Sequence, residues 1–131
     1  MKEYSYSRRA EIYAMAQIDL EDAIELRVEM LLERRPGLEV DRSIQEGDWA
    51  LLTLSDGSRL IGFEFLETED SWTRPDALLQ YYEAANDGFY VGIIVPSSAL
   101  DDLTEVVFSM GEYPVTILTY DDIGIEELIT V

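Results

Sequence analysis

Residues 49–67 read WALLTLSDGSRLIGFEFLE, and this stretch decides the fold class. Two apolar runs, Trp49–Leu54 and Leu60–Glu67, flank the tetrapeptide Ser55–Ser58. The Asp-Gly pair inside that tetrapeptide is the strongest short-range signal for a tight turn between antiparallel strands. The stretch therefore predicts a β-hairpin, and a shorter strand is predicted just before it, near Leu38–Ile44.

Residues 89–95, FYVGIIV, give the second clear strand signal. The run is continuously apolar and is bounded by Gly88 and Pro96. This pattern is typical of a strand that is covered on both faces in the middle of a parallel sheet. A helix is predicted on either side of this strand, and a last strand follows the second helix. These segments are Thr73 to about Asn86, Ser98 to about Ser109, and Val115–Tyr120.

A long helix is predicted over residues 5–34, because apolar side chains recur there on one face with the helical period. The Pro36-Gly37 pair ends this helix. Arg27 lies in the middle of the apolar stripe. An arginine in that position is expected to snorkel to solvent or to pair with a carboxylate; the alternative is an arginine directed into a functional site.

The element order is therefore α-β-β-β-α-β-α-β. An antiparallel start of three strands, followed by crossovers through helices, predicts an α/β fold with a mixed central sheet of about five strands and helices on both faces. The length of 131 residues suits a single domain. We expect its sheet core to extend over residues 38–120, with a short tail over residues 121–131.

Two residue types that carry much of enzyme chemistry are missing, since the chain contains neither cysteine nor histidine. The lack of cysteine excludes disulfides, thiolate nucleophiles and thiolate zinc sites. The lack of histidine removes the commonest general base and the commonest ligand of transition metals. Any catalysis would have to use carboxylates, hydroxyls, tyrosines or arginines.

The formal net charge is −19, from 28 acidic and 9 basic residues. Such a surface repels phosphate backbones, which argues against a nucleic-acid partner. Two interpretations of the acidity stay open: a halophile-like composition that suits high salt, or recognition of a basic protein partner. The sequence shows no run of signal-peptide type and no apolar stretch long enough to span a bilayer. We therefore expect a cytoplasmic protein without a membrane partner.

Four short motifs, in this order of elements, carry a resemblance to a known family. They are GDWALL (Gly47–Leu52), LIGFEFL (Leu60–Leu66), LQYY (Leu79–Tyr82) and YVGIIVP (Tyr90–Pro96). Over about residues 20–120 the chain resembles the restriction-endonuclease-like fold of the PD-(D/E)XK nuclease superfamily. The resemblance implies a metal-dependent nuclease ancestry, in which an Asp on the second strand, an acidic residue on the third strand and a Lys two residues later form the site.

The resemblance places Ala50, Glu64 and Leu66 at those three family positions, and the only lysine, Lys2, lies far outside the motif. It therefore implies a catalytically inactive nuclease-fold domain with no catalytic residues and no bound cofactor. Such a domain is expected to act as a protein-interaction or structural module, with a protein partner or as a homo-oligomer.

One alternative is a residual DNA or RNA nuclease that uses Mg²⁺ or Mn²⁺. If the second strand is regular at its start, Asp48 lies on the same face as Ala50 and replaces the missing Asp. The candidate site is then Asp48, Glu64 and Gln80, with Asp48 and Glu64 as metal ligands. Glu67 points away from Glu64 on a regular strand and would need a bulge to join them.

Two further interpretations concern the carboxylates without catalysis. Rather than binding a metal, Glu64 is expected to be a half-exposed polar position on an otherwise apolar strand, or to pair with Arg27, Arg42 or Arg59. The acidic run 67–70 is expected to be a solvated loop. The whole chain could also act as an acidic decoy that binds a basic protein partner.

Overall fold

The described helix that ends at Arg34 begins at Leu20, inside the predicted range of residues 5–34. The computed structural model describes residues 19–109, 111 and 113–124. Asp19 has an extended backbone, and its side chain accepts a hydrogen bond from the Asp22 amide at 3.3 Å, so it caps the helix that begins at Leu20. The continuous helix predicted over residues 5–34 is therefore interrupted at Asp19, and residues 5–18 lie outside the described part.

The described residues form three α-helices and one mixed sheet of five strands. The helices are α1 (Leu20–Arg34), α2 (Ala77–Asn86) and α3 (Leu100–Val107). The strands are β1 (Leu38–Gln45), β2 (Trp49–Asp56), β3 (Arg59–Leu66), β4 (Tyr90–Val95) and β5 (Thr116–Thr119). None of the helices in this part of the chain is long and apolar enough to cross a membrane.

The strands lie in the sheet in chain order, β1-β2-β3-β4-β5. The first three strands pair antiparallel, whereas β4 pairs parallel with β3 and β5 pairs parallel with β4. The predicted hairpin is confirmed: Asp56 pairs with Arg59 across a tight turn, and Gly57 has the left-handed backbone that such turns need. The predicted mixed sheet and α/β class are confirmed as well.

Helices cover both faces of the sheet, as the sequence predicts. Side chains of successive strand residues point to opposite faces, so β2, β3 and β4 each contribute to two cores. One core joins α1 to β2, β3 and β4 through Ile24, Val28, Leu52 and Leu66, among others. The other core joins α2 and α3 to the opposite face of the same strands. It contains Trp49, Phe65, Tyr81, Ile93 and Leu103.

Candidate functional site

Glu64, which the resemblance described above would place at the acidic position of a nuclease site, lies in the centre of the sheet and faces α1. It pairs with Leu52 on β2 and with Gly92 on β4, and none of its surface is exposed (0%). Arg27 reaches it from the apolar stripe of α1: the Arg27 Nε donates to Oε1 and the Arg27 Nη2 donates to Oε2, each at 2.8 Å. This bidentate contact confirms Arg27 as the partner of Glu64, in preference to Arg42 or Arg59.

A tyrosine completes the coordination of the Glu64 carboxylate. The Tyr90 hydroxyl donates to Oε2 at 2.8 Å. This approach depends on Gly92, because a Cβ at that position would lie 2.5 Å from the Tyr90 hydroxyl oxygen and 3.3 Å from the Glu64 Cγ. The lack of a side chain at Gly92 therefore leaves the space in which the phenol crosses from β4 to β3.

Arg27 and Tyr90, the two donors to Glu64, keep their protons over the ordinary pH range. Burial alone lowers the pKa of Arg27, but the hydrogen bonds and the charge of Glu64 outweigh it and raise that pKa above its usual value. Burial, together with the negative charge of Glu64, raises the pKa of Tyr90. Both residues therefore stay hydrogen-bond donors to the carboxylate.

The other two family positions supply no ligand atoms. Ala50 and Leu66 pair directly with each other across β2 and β3, share the α1 face with Glu64 and are fully buried. The three residues thus lie together on one face of the sheet, as one carboxylate beside two apolar side chains. Magnesium prefers oxygen donors in an octahedral arrangement, and this set does not provide them.

The relocated site of Asp48, Glu64 and Gln80 does not converge. Asp48 is not part of β2, which begins at Trp49; it lies exposed in the turn before it, with a left-handed backbone (φ 61°). The assumption of a regular strand there is therefore wrong. Gln80 belongs to α2, on the opposite face of the sheet from Glu64. Within the described ranges, no group of three or more acidic side chains has a geometry that could hold a metal ion.

A second buried carboxylate, Glu67, was not foreseen. The run 67–70 was predicted to be a solvated loop, which is wrong for Glu67: it is fully buried (0%), whereas Glu69 and Asp70 are exposed. The physical reason is that the Glu67 amide donates to the Ile94 carbonyl at 2.8 Å, so the pairing of β3 with β4 continues one residue further. The sequence contains one indication of this burial. Side chains of a strand alternate between the two faces of the sheet, so Glu67 follows Phe63 and Phe65 on the face that packs against α2.

Four donors surround the Glu67 carboxylate. Arg74 donates through Nη1 to Oε1 at 2.7 Å and through Nη2 to Oε2 at 3.2 Å. The Ser71 hydroxyl donates to Oε1 at 2.7 Å, and the Tyr81 hydroxyl donates to Oε2 at 2.6 Å. The Tyr120 hydroxyl donates to the Glu67 carbonyl at 2.8 Å. Glu67 therefore connects β3 to α2 and to the segment after β5.

Arg74 also links this network to the surface beside it. Its guanidinium carbon lies 3.6 Å from the centre of the Trp49 ring, and its Nη2 donates to the Gln80 Oε1 at 2.9 Å. Gln80, the third residue of the relocated site, is thus a partner of Arg74 rather than of Glu64. The positive charge of Arg74 is therefore paired with the Glu67 carboxylate and lies against the Trp49 ring.

A groove of about 280 Å³ opens beside this network, between α2 and the sheet. Its floor is apolar and consists largely of four aromatic side chains, Trp49, Phe63, Phe65 and Phe89. Trp49 stacks on Phe65 with ring centres 5.8 Å apart, and Phe63 meets Phe89 edge to face at the same distance. These contacts fix the floor in one arrangement.

The rim of the groove is acidic. Ala84 lines it from α2, and the exposed side chains of Glu83 and Asp87 stand beside Ala84 and at the end of that helix. No lysine or arginine lines the groove in the part of the chain that the structure describes. The groove can therefore accept an apolar group and place a cation next to it.

Comparisons of the chain with protein-family models, with curated proteins and with solved structures found no match.

Proposed function

We propose that this chain is a catalytically inactive domain of the restriction-endonuclease-like fold, which serves as a protein-interaction module. The observation that carries the proposal is the state of Glu64, which occupies the family's acidic position. Its carboxylate is fully buried and accepts three hydrogen bonds, two from Arg27 and one from Tyr90. The carboxylate therefore has a structural role, since the hydrogen bonds that it accepts hold α1 and β4 to β3.

The cost of releasing Glu64 supports this interpretation. A metal ion at Glu64 would have to displace Arg27, which is itself buried at 7% exposure. Leaving one member of a buried ion pair without its partner costs about 3–5 kcal/mol. Ala50 and Leu66 supply no second carboxylate that would offset this cost. Mg²⁺ or Mn²⁺ does not fit this set of residues, and we derive no catalytic step through a metal.

A nuclease assay tests the proposal against the alternative of a residual nuclease. The chain is incubated with single- and double-stranded DNA and RNA in the presence of Mg²⁺ or Mn²⁺, and we expect no cleavage above a control without protein. Glu64→Gln is the diagnostic variant, and Glu69→Gln, which changes an exposed carboxylate of the same region, is its matched control. Metal-dependent cleavage that Glu64→Gln abolishes and Glu69→Gln retains would refute the proposal.

The distribution of charge indicates that the partner is basic. All nine basic residues lie at or before Arg74, so residues 75–131 contain acidic side chains and no lysine, arginine or histidine. Both α2 and α3 belong to this segment. The exposed arginines lie elsewhere, at the end of α1, on β1 and in the β2–β3 hairpin: Arg34, Arg35, Arg42 and Arg59.

The acidic residues are spread over the whole chain, with 17 in residues 1–74 and 11 in residues 75–131, so their density alone also suits a general adaptation to salt. The observation that supports the acidic-decoy form of the proposal is the confinement of the basic residues to residues 1–74, because recognition of a basic protein needs one face without positive charge. The same charge opposes self-association through the α2–α3 face, because two copies would present like charges to each other. The proposed partner is therefore a different, basic protein.

A further inference from the structure

We propose that the groove between α2 and the sheet binds one apolar side chain of a basic peptide segment: an aromatic or large aliphatic residue flanked by arginine or lysine. The inference rests on the proposed function as a module that binds a basic partner, and it assigns the place and the chemistry of the contact.

The size and lining of the groove suit a single side chain. Sites for drug-sized ligands occupy about 300–1,000 Å³, and this groove of about 280 Å³ lies just below that range. An apolar side chain that covers the aromatic floor is stabilised by the burial of apolar surface. An aromatic side chain from a partner would also make the edge and stacking contacts that aromatic rings prefer.

The charges around the groove determine what flanks that side chain. Glu83 and Asp87 are exposed at the rim, while the nearby cation, Arg74, is held by Glu67 and Trp49. A carboxylate or a phosphate entering the groove would meet two negative charges. An arginine or a lysine on either side of an inserted aromatic ring would meet opposite charges at short range.

The same charges decide against other occupants. A nucleic-acid base could stack on the floor, but its phosphates would have to approach a face without a single basic residue beyond Arg74. A second copy of the chain would bring the same negative charge to the interface. A basic peptide is the partner whose charge complements both the rim and the face around it.

Calorimetric titration of the full chain with three peptides tests the inference. The probes are RRWRR, RRARR and EEWEE, each acetylated and amidated, at low ionic strength, where exposed charges are least screened. We expect RRWRR to bind about tenfold more tightly than RRARR, because the ring buries apolar surface that alanine lacks. We expect no binding of EEWEE.

Two variants locate the binding. Ala84→Phe fills the groove from α2 and is expected to weaken the binding of RRWRR about tenfold, to the level of RRARR. Glu83→Gln with Asp87→Asn removes the charge of the rim and is expected to weaken binding about threefold to tenfold. Circular dichroism and thermal unfolding check the fold of both variants; if Ala84→Phe does not fold, the rim variant decides.

Matched controls separate the groove from the general charge of the chain. Leu79→Ala changes a side chain of α2 that is 57% exposed and lies outside the groove. Glu25→Gln with Glu29→Gln removes two exposed charges on α1, across the sheet. Both controls are expected to bind RRWRR within about twofold of the parent chain, since exposed charges act weakly at a distance.

Three results would overturn the inference, and they distinguish it from the proposed function. If RRARR binds as tightly as RRWRR and Ala84→Phe has no effect, the groove is not the site, although binding of basic partners stands. If neither arginine peptide binds, both the groove and the basic partner are wrong. If sedimentation shows a dimer that Ala84→Phe dissociates, the groove belongs to a second copy.

Discussion

The ion pair between Arg27 and Glu64 predicts a specific pattern of stability in a double-mutant cycle. Arg27→Met leaves the Glu64 carboxylate buried with one remaining donor, the Tyr90 hydroxyl. Glu64→Leu leaves the buried guanidinium without its acceptor. Each single change is expected to lower the free energy of unfolding by about 3–5 kcal/mol, because each leaves an unpaired charge in the core.

The double variant is the informative member of this cycle. Arg27→Met with Glu64→Leu removes both charges and replaces them with apolar side chains, which in buried pairs is often neutral or even stabilising. It is therefore expected to be more stable than either single variant, with a coupling energy of about 3 kcal/mol. A second cycle with Tyr90→Phe in all four proteins removes the phenol as well and shows how much of the cost an unpaired Tyr90 hydroxyl contributes.

Urea denaturation measures the cycle, since urea does not screen charges as a guanidinium salt does. The exposed pair of Arg35 and Asp56 is the matched control: its bond has the same length, 2.8 Å, but its side chains are 50% and 47% exposed. Its coupling energy is expected to be about 0.2–1 kcal/mol. Additive effects of Arg27→Met and Glu64→Leu, with coupling below about 0.5 kcal/mol, would refute the buried ion pair and with it the structural role of the Glu64 carboxylate.

Two further predictions concern the tyrosines of the core. Gly92→Ala is expected to lower the free energy of unfolding by about 1.5–3 kcal/mol, because the new Cβ displaces the Tyr90 hydroxyl from Glu64. Urea denaturation should show a smaller loss when the same change is made in a Tyr90→Phe background. Equal losses in both backgrounds would contradict the role of Gly92. Burial, reinforced by nearby carboxylates, raises the pKa of three phenols above their ordinary value of 10.0, namely those of Tyr81, Tyr90 and Tyr120. Since the unfolded chain then releases these protons first, the free energy of unfolding should be unaffected by them below about pH 10 and fall as the pH rises further. Absorbance titration at alkaline pH checks this, and simultaneous ionisation of all eight tyrosines near pH 10 in the folded chain would contradict it.

The sequence predicts the elements well where local chemistry determines them. The Asp56-Gly57 turn and the apolar run of β4 specify their structure within a few residues, and both are confirmed. The stripe of α1 is confirmed over Leu20–Arg34, and it did not indicate the helix start that Asp19 caps. The stripe also draws attention to Arg27, which was expected either to snorkel to solvent or to pair with a carboxylate, and which the structure shows paired. Its partner remained one of several possibilities in the sequence, because Glu64 lies 37 residues away and only the packing of α1 on β3 brings the two together.

The failures of prediction arise where tertiary contacts override local polarity. Glu67 begins a run of acidic and hydroxyl residues that is typical of a loop. In the structure, hydrogen bonds from Arg74, Ser71 and Tyr81 offset the free-energy cost of burying its carboxylate. Asp48 precedes a clear strand, but its left-handed backbone places it in the turn. The groove could not be predicted either, since strand residues and α2 residues far apart in sequence form it together.

The two buried carboxylates define what kind of function remains available to this fold. Glu64 and Glu67 leave β3 on opposite faces, and each is held by one arginine and one tyrosine: one set ties β3 to α1 and β4, and the other ties it to α2. Loss of either carboxylate is expected to damage packing before it reveals any activity. The proposed interaction therefore uses the surface, where side chains can change without unfolding the domain, and the aromatic groove with its acidic rim is the surface that we propose for it.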